Sequence, residues 1–187
     1  MGAPAKLVVS CWVVFFVFWF VSAFSVKRAK LKQPLIHRLL YLVIALVAVL
    51  TLKGSVLAIP WNRAVLPRTI GMSIFAASLV LLGLVIAIWA RVTLGGNWSA
   101  RVTLKENHEL IQRGPYRIVR HPIYSGLLVM ILGTAILAGQ ASGFFALFIC
   151  FLGFWIKSRQ EEKLLTRHLP GYEEYKAHTK ALIPFLL

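Results

Sequence analysis

Residues 7–26, 39–59 and 69–90 form three apolar runs, each of the length, about 17 to 25 residues, that a helix needs to cross a bilayer. In hydrocarbon every backbone N–H and C=O must be paired within the segment, so each run reads as a membrane-spanning helix. Lys53 and Gly54 fall near one end of the second run, where a lysine stem can reach the headgroups. The first run follows a short segment containing Lys6 and could pass for a secretory leader. It is longer and more aromatic than a leader core, and Ser25-Val26-Lys27 is a poor cleavage site, so it is kept as a span. A fourth apolar region, 123–156, is too long for one crossing and is broken by Gly139-Gln140-Ala141-Ser142-Gly143, a string of turn formers. It is expected to fold as a tight helical hairpin whose arms, about 16 residues each, sit shallowly or thin the bilayer. The expected fold class is an all-α membrane protein of about five transmembrane helices, the last two being the hairpin.

With 187 residues, 59% of them hydrophobic and 14% charged, the chain is too apolar for a water-soluble domain and long enough for one compact unit. That unit is expected to be a single integral membrane domain: three scaffold spans in 1–90, then a loop, the hairpin and a tail in 91–187. The formal net charge of +15 would suggest nucleic acid in a soluble protein. Here the basic residues flank apolar runs, where Lys and Arg set topology, and no nucleic-acid partner is expected. Lys27, Arg28, Lys30, Lys32 and Arg38 follow the first span and only Arg63 and Arg68 the second, which makes the first loop cytosolic and the N-terminus opposite. By alternation the 91–121 loop and the tail from Lys157 are cytosolic, and both are rich in Lys and Arg. Cys11 and Cys150 lie inside apolar runs, so neither a disulfide framework nor a metal site is expected from them.

All six acidic residues, Glu106, Glu109, Glu161, Glu162, Glu173 and Glu174, fall in the loop and the tail, which is where chemistry should be sought. The loop carries Gly95-Gly96-Asn97-Trp98-Ser99, then His108-Glu109-Leu110-Ile111, then Gly114-Pro115-Tyr116 and Arg120-His121-Pro122-Ile123-Tyr124-Ser125-Gly126. Pro122 suits the first turn of a helix, which puts Arg120 and His121 at the mouth of the fourth span. Free N–H groups at that mouth, together with Arg120, would make a cradle for a carboxylate or phosphate. Gly114 and Gly126 permit close approach of a ligand or a neighbouring helix. In the tail Arg159 and Glu162 are three apart and share a helical face, Pro170-Gly171 breaks the helix, and the short amphipathic segment 172–176, ahead of Ile183-Pro184-Phe185, is expected to lie against the interface. No GxGxxG or alternating strand and helix pattern is present, which excludes a Rossmann nucleotide domain.

The run His108-x-Leu110-Ile111-x-x-Gly114-Pro115-Tyr116-x-x-x-Arg120-His121-Pro122-x-Tyr124-x-Gly126, with Arg159-x-Glu161-Glu162-x-x-Leu165 and Tyr172-x-x-Tyr175, resembles the isoprenylcysteine carboxyl methyltransferase family. The resemblance spans roughly 91–185 and implies a membrane-embedded enzyme that binds S-adenosylmethionine in a cytosol-facing pocket made by the loop and the tail. Carried over by position, His108, Leu110, Gly114, Tyr116, His121 and Tyr124 would line the cofactor site, and Arg120 with Glu161 or Glu162 would hold its amino-acid end. Arg159 would face the acceptor and, with Glu162, serve catalysis. The implied partners are a lipidic or prenylated acceptor and the membrane lipids, with no metal. Where many members of that family have Phe-Gly before the first tail tyrosine, this chain has His168-Leu169-Pro170-Gly171.

A carboxylate acceptor is ionised at pH 7 and needs no strong base, so methyl transfer to it demands mainly approach and alignment. The motifs track the methyl donor, which leaves a phospholipid amine, a prenylated cysteine and a small lipidic acid open as acceptors. Sterol-type membrane reductases using NADPH resemble the Arg-His-Pro region but usually carry Asn where this chain has Ile123. A non-enzymatic membrane scaffold would give Arg159, Glu161 and Glu162 no task.

Overall fold

A computed structural model describes residues 2–25, 29–32, 63–98, 103–105 and 110–184. The span expected at 39–59 lies outside the described residues, as does His108. Helix α1 (Ala3–Ser22) begins four residues earlier than the apolar run because Gly2 caps it and Pro4 sits in the first turn, where a missing N–H costs nothing; a 3-10 turn, Ala23–Ser25, follows it. Helix α2 (Ile70–Leu94) is capped by Thr69, whose hydroxyl accepts from the Met72 amide at 3.2 Å, and it ends at Gly95 with φ +57°. Helix α3 (Pro122–Ala138) and helix α4 (Ala141–His168) form the expected hairpin. The break is tighter than expected, since Gly139 in the left-handed conformation and Gln140 make the whole turn. The arms are unequal: α3 has 17 residues, about 25 Å at 1.5 Å per residue, whereas α4 runs on for 28 and carries the charged stretch from Lys157 as its last turns. Helix α5 (Tyr172–His178) starts after the Pro170-Gly171 break.

Helices α1, α2 and α4 are long and apolar enough to cross a membrane, and the protein is a multi-pass integral membrane protein. The all-α expectation holds with one addition. Strand β1 (Ala29–Lys32) pairs antiparallel with β2 (Thr103–Lys105), tying the loop after α1 to the loop after α2, so both lie on one side of the bundle.

Lipid offers no hydrophobic drive between helices, and close backbone approach through small residues takes its place. A Cβ on Gly83 would meet Gly126 O at 2.5 Å, and one on Gly126 would meet Gly83 O at 2.7 Å, so α2 and α3 touch main chain to main chain. Gly133 sits the same way against Ala76, and Gly143 brings α4 against Ala135. Val8, Cys11 and Phe15 of α1 complete the core against Ala77, Val80, Leu84, Ala87 and Met130.

The run expected to stop at Ala90 in fact continues, because Arg91 is a buried helical residue, 2% exposed, rather than the first residue of a loop. Its guanidinium donates to Ser22 O at 2.6 Å and Gly95 O at 2.8 Å, and lies 4.6 Å from the Trp98 ring centre. Both carbonyls belong to helix C-termini, whose partial negative charge suits a cation. The clasp also shows that α1 and α2 run parallel, with their C-terminal ends together. Arg91→Met keeps the length and removes the donors; it is expected to cost about 2 to 3 kcal/mol, from two stranded carbonyls and a lost cation-π contact. Thermal unfolding of the detergent-solubilised protein checks this, and an unchanged midpoint would mean the clasp carries no weight.

Candidate active site

The loop before α3 is shaped by Gly114, whose φ of +59° opens a 3-10 turn, Gly114–Arg117. A Cβ there would sit 3.2 Å from Thr93 Oγ1 and 3.4 Å from Trp89 Nε1, so this glycine backs onto α2. The turn buries Tyr116 with Ala90 and Ile123, and Trp19, Trp98 and Tyr124 pack around them. Pro122 then opens α3 with His121 as its cap residue, as expected.

The end of α4 meets this mouth. Arg120 Nε donates to Glu162 Oε1 at 2.8 Å, a pair in which the carboxylate is 1% exposed and the guanidinium 7%. The imidazole of His121 lies between the two carboxylates, Nδ1 3.4 Å from Glu161 Oε2 and Nε2 3.4 Å from Glu162 Oε1. Burial works against a charge on this ring, but hydrogen bonding and attraction from Glu161 and Glu162 outweigh it and lift the pKa above the ordinary histidine value. Tyr124 donates to Glu161 Oε1 at 2.8 Å, its ring stacked between His121 and Phe154. Lys176 Nζ stands 3.5 Å from Glu162 Oε2.

The tail closes the site from above. Arg120 Nη1 donates to Lys176 O at 3.2 Å and to Thr179 O, while the Arg120 and His121 amides donate to Lys180 O at 2.8 Å and Ala181 O at 3.0 Å. Val119 and Lys180 form a parallel bridge, Ser125 Oγ lies 2.5 Å from Leu182 O, and Tyr175 OH donates to Tyr116 O at 2.6 Å. Burial pushes the phenols of Tyr116 and Tyr172 well up, so both stay neutral.

Of the expected residues, the structure gathers Tyr116, Arg120, His121, Tyr124, Glu161 and Glu162. Leu110 is half-buried, and a Cβ on Gly171 would lie 3.8 Å from its Cδ2. Arg159 is not brought to Glu162: it is exposed, with its guanidinium 4.3 Å from the Trp155 ring centre. The Arg120 and His121 amides at the mouth of α3 are not free for an anion, since the strand-like strap at 179–182 takes both. The strap and the Lys176 contact carry no sequence signal of their own, and Ala181 and Leu182 are buried at the mouth of α3. A cavity of about 350 Å3 between Arg117 and α5, lined also by Gln112, Glu174 and His178, includes none of the residues expected to hold a cofactor.

Three polar atoms in the cluster make no hydrogen bond among the described residues: His121 Nε2, which has Glu162 Oε1 at ion-pair distance only, Glu162 Oε2 and Arg120 Nη2. Glu162 Oε2 is buried without a hydrogen bond, its approach to Lys176 being at ion-pair distance only. Arg120 Nη2 makes no hydrogen bond among the described residues, whereas Nε and Nη1 are engaged. A carboxylate oxygen beside a guanidinium edge is the complement of an amino acid's ammonium and carboxylate.

The profile of the isoprenylcysteine carboxyl methyltransferase family matches residues 76–167, which takes in α2, the loop, α3 and almost all of α4. This segment belongs to that family. A rice protein named as a probable protein-S-isoprenylcysteine O-methyltransferase is 32% identical over 112 residues, 58% of this chain and 59% of its own length. Protein-S-isoprenylcysteine O-methyltransferase B of Arabidopsis thaliana is 26% identical over 119 residues, 62% of this chain and 60% of its own. The nickel-cobalt-cadmium resistance protein NccN of Alcaligenes xylosoxydans xylosoxydans is 31% identical over 96 residues, covering 50% and 45%. The chain thus spans about three-fifths of the length of the plant methyltransferases it matches, and the profile match at 76–167 contains every residue of the charged cluster except Lys176 and the strap.

Proposed function

We propose that this protein is an S-adenosylmethionine-dependent methyltransferase acting on a lipidic acceptor, most simply the carboxylate of an isoprenylcysteine, within a single integral membrane unit. The observation that carries this reading is the pair of open atoms, Arg120 Nη2 and Glu162 Oε2, at one end of a buried charged cluster. They would hold the carboxylate and ammonium of the donor's amino-acid end. Tyr116, His121 and Tyr124 supply the adjoining wall, and Gly114, Leu110 and His108 complete the set by resemblance. When bound, the donor supplies a sulfonium methyl group, which passes to a carboxylate oxygen and leaves a thioether and a methyl ester.

The residues' own work is positioning. Glu162 holds Arg120, His121 spans both carboxylates, and Tyr124 pins Glu161, so the cluster is organised before a ligand arrives. The acceptor is ionised already, and no side chain has to take a proton. Arg159, exposed on α4 over Trp155, would meet the acceptor's carboxylate. The loop, the tail and this site are assigned to the cytosolic side and the N-terminus to the other, by the positive-inside rule.

Calorimetric titration with S-adenosylhomocysteine, with NADPH in parallel, tests the cofactor. Micromolar binding of S-adenosylhomocysteine alone supports the proposal, and binding of NADPH alone overturns it in favour of a reductase. Arg159→Ala is expected to leave S-adenosylhomocysteine affinity unchanged and to lower turnover of a prenylcysteine acceptor by about tenfold or more, the loss of one charge-assisted contact. A weakened cofactor affinity instead would move Arg159 to the donor side.

A further inference from the structure

We propose that residues 179–182 act as a positioning strap that decides which edge of Arg120 faces the ligand, and that Ser125 is the residue anchoring it. This rests on the assignment of Arg120 to the donor's amino-acid end.

The tail contacts of Arg120 are backbone carbonyls, Lys176 O and Thr179 O, so what matters is the path of the chain at these positions and not their side chains. With Nε on Glu162 and Nη1 on those carbonyls, Nη2 is the nitrogen left to present. A guanidinium is a rigid planar fork, so holding two of its nitrogens fixes the direction of the third. The path itself is held at three points: Lys180 O on the Arg120 amide, Ala181 O on the His121 amide, and Leu182 O near Ser125 Oγ. Ser125 is one turn into α3, where its Oγ is 2.5 Å from Leu182 O and 3.2 Å from His121 O. Its single proton goes to the nearer acceptor. Because α3 is seated main chain to main chain on α2, this hydroxyl is a fixed post, and the strap is the part that would shift if the bond were lost. Buried Leu182, 1% exposed, adds an apolar hold at the same place.

The test uses the full chain in detergent, comparing wild type with Ser125→Ala, Ser125→Thr and, as a second route to the same end, Leu182→Ala. Backbone amide exchange at Arg120 and His121 reads the strap, and titration with S-adenosylhomocysteine reads the site. Ser125→Ala and Leu182→Ala are expected to speed exchange at those two amides and to weaken S-adenosylhomocysteine roughly five- to tenfold, the worth of one hydrogen bond. The donor KM should rise in step, with kcat falling less, and Ser125→Thr should restore both readouts. Faster exchange with unaltered affinity would reduce the strap to a structural role and overturn the proposal alone. Unaltered exchange in Ser125→Ala, or failure of Ser125→Thr to restore it, would overturn Ser125 as the anchor. A wild type that does not bind S-adenosylhomocysteine would overturn the functional assignment, and this inference with it.

Discussion

Glu162→Gln is expected to weaken S-adenosylhomocysteine binding by about a hundredfold or more, while the helices stay in place. The substitution keeps the volume of a side chain that is 1% exposed, so it leaves no cavity. What it removes is the charge that answers Arg120 at 2.8 Å and Lys176 at 3.5 Å, and one of the two that answer His121, at 3.4 Å. Breaking a buried pair from one side costs about 3 to 5 kcal/mol, because the surviving charge stays stripped of water with only the neutral carbonyls of Lys176 and Thr179 to answer it. Arg120 escapes that cost only by turning outward, which dismantles the edge offered to the ligand. About 2.7 kcal/mol of it appearing in binding gives the hundredfold figure. Titration calorimetry reads the loss directly. An affinity within about threefold of wild type would show that Glu162 is structural and that the donor binds elsewhere.

Gly83→Val is expected to destabilise the protein by about 3 kcal/mol, the upper part of the range for overpacking. A Cβ at this position lies 2.5 Å from Gly126 O, 2.7 Å from Met130 N and 2.8 Å from Met130 Cγ. Two of those three are main chain in the middle of α3, which cannot step aside without moving the helix. Gly71, in the same helix, has nothing within 4 Å of the corresponding point. Gly71→Ala is therefore the matched control, expected to be neutral or to stabilise by about 0.5 to 1 kcal/mol through helix propensity. Chemical or thermal unfolding of both variants decides it. If Gly83→Val unfolds with wild type, α2 and α3 are not packed as described.

Apolar length and the positions of Gly and Pro made much of the fold legible. Pro122 opens α3, Gly139 ends it, and Pro170-Gly171 closes α4, because these residues act through local backbone geometry that needs no knowledge of neighbours. Arg91 was misread as the start of a loop for the opposite reason: a cation belongs in an apolar helix only when distant carbonyls receive it, and Ser22 is 69 residues away. The charged cluster was recognisable from the residue types of Arg120, His121, Glu161 and Glu162, and their meeting confirms that the two segments face each other. The β ribbon, the Lys176 contact and the strap were not recognisable, since backbone pairing between remote segments leaves little mark on residue type. Arg159 shares a helical face with Glu162 by spacing, but Glu162 is drawn to Arg120 while Arg159 turns to Trp155.

The acceptors that finish Arg120 lie 56 and 59 residues further along the chain than Arg120 itself. During synthesis α3 therefore reaches the bilayer with its charged mouth unanswered, and α4 supplies Glu162 before the strap exists. A chain ended between His168 and Thr179 would have all of its described apolar helices in place and no finished site. Quality control that judges this protein by membrane insertion alone would pass such a chain, and only a partner that senses the open mouth of α3 could tell it from the complete one.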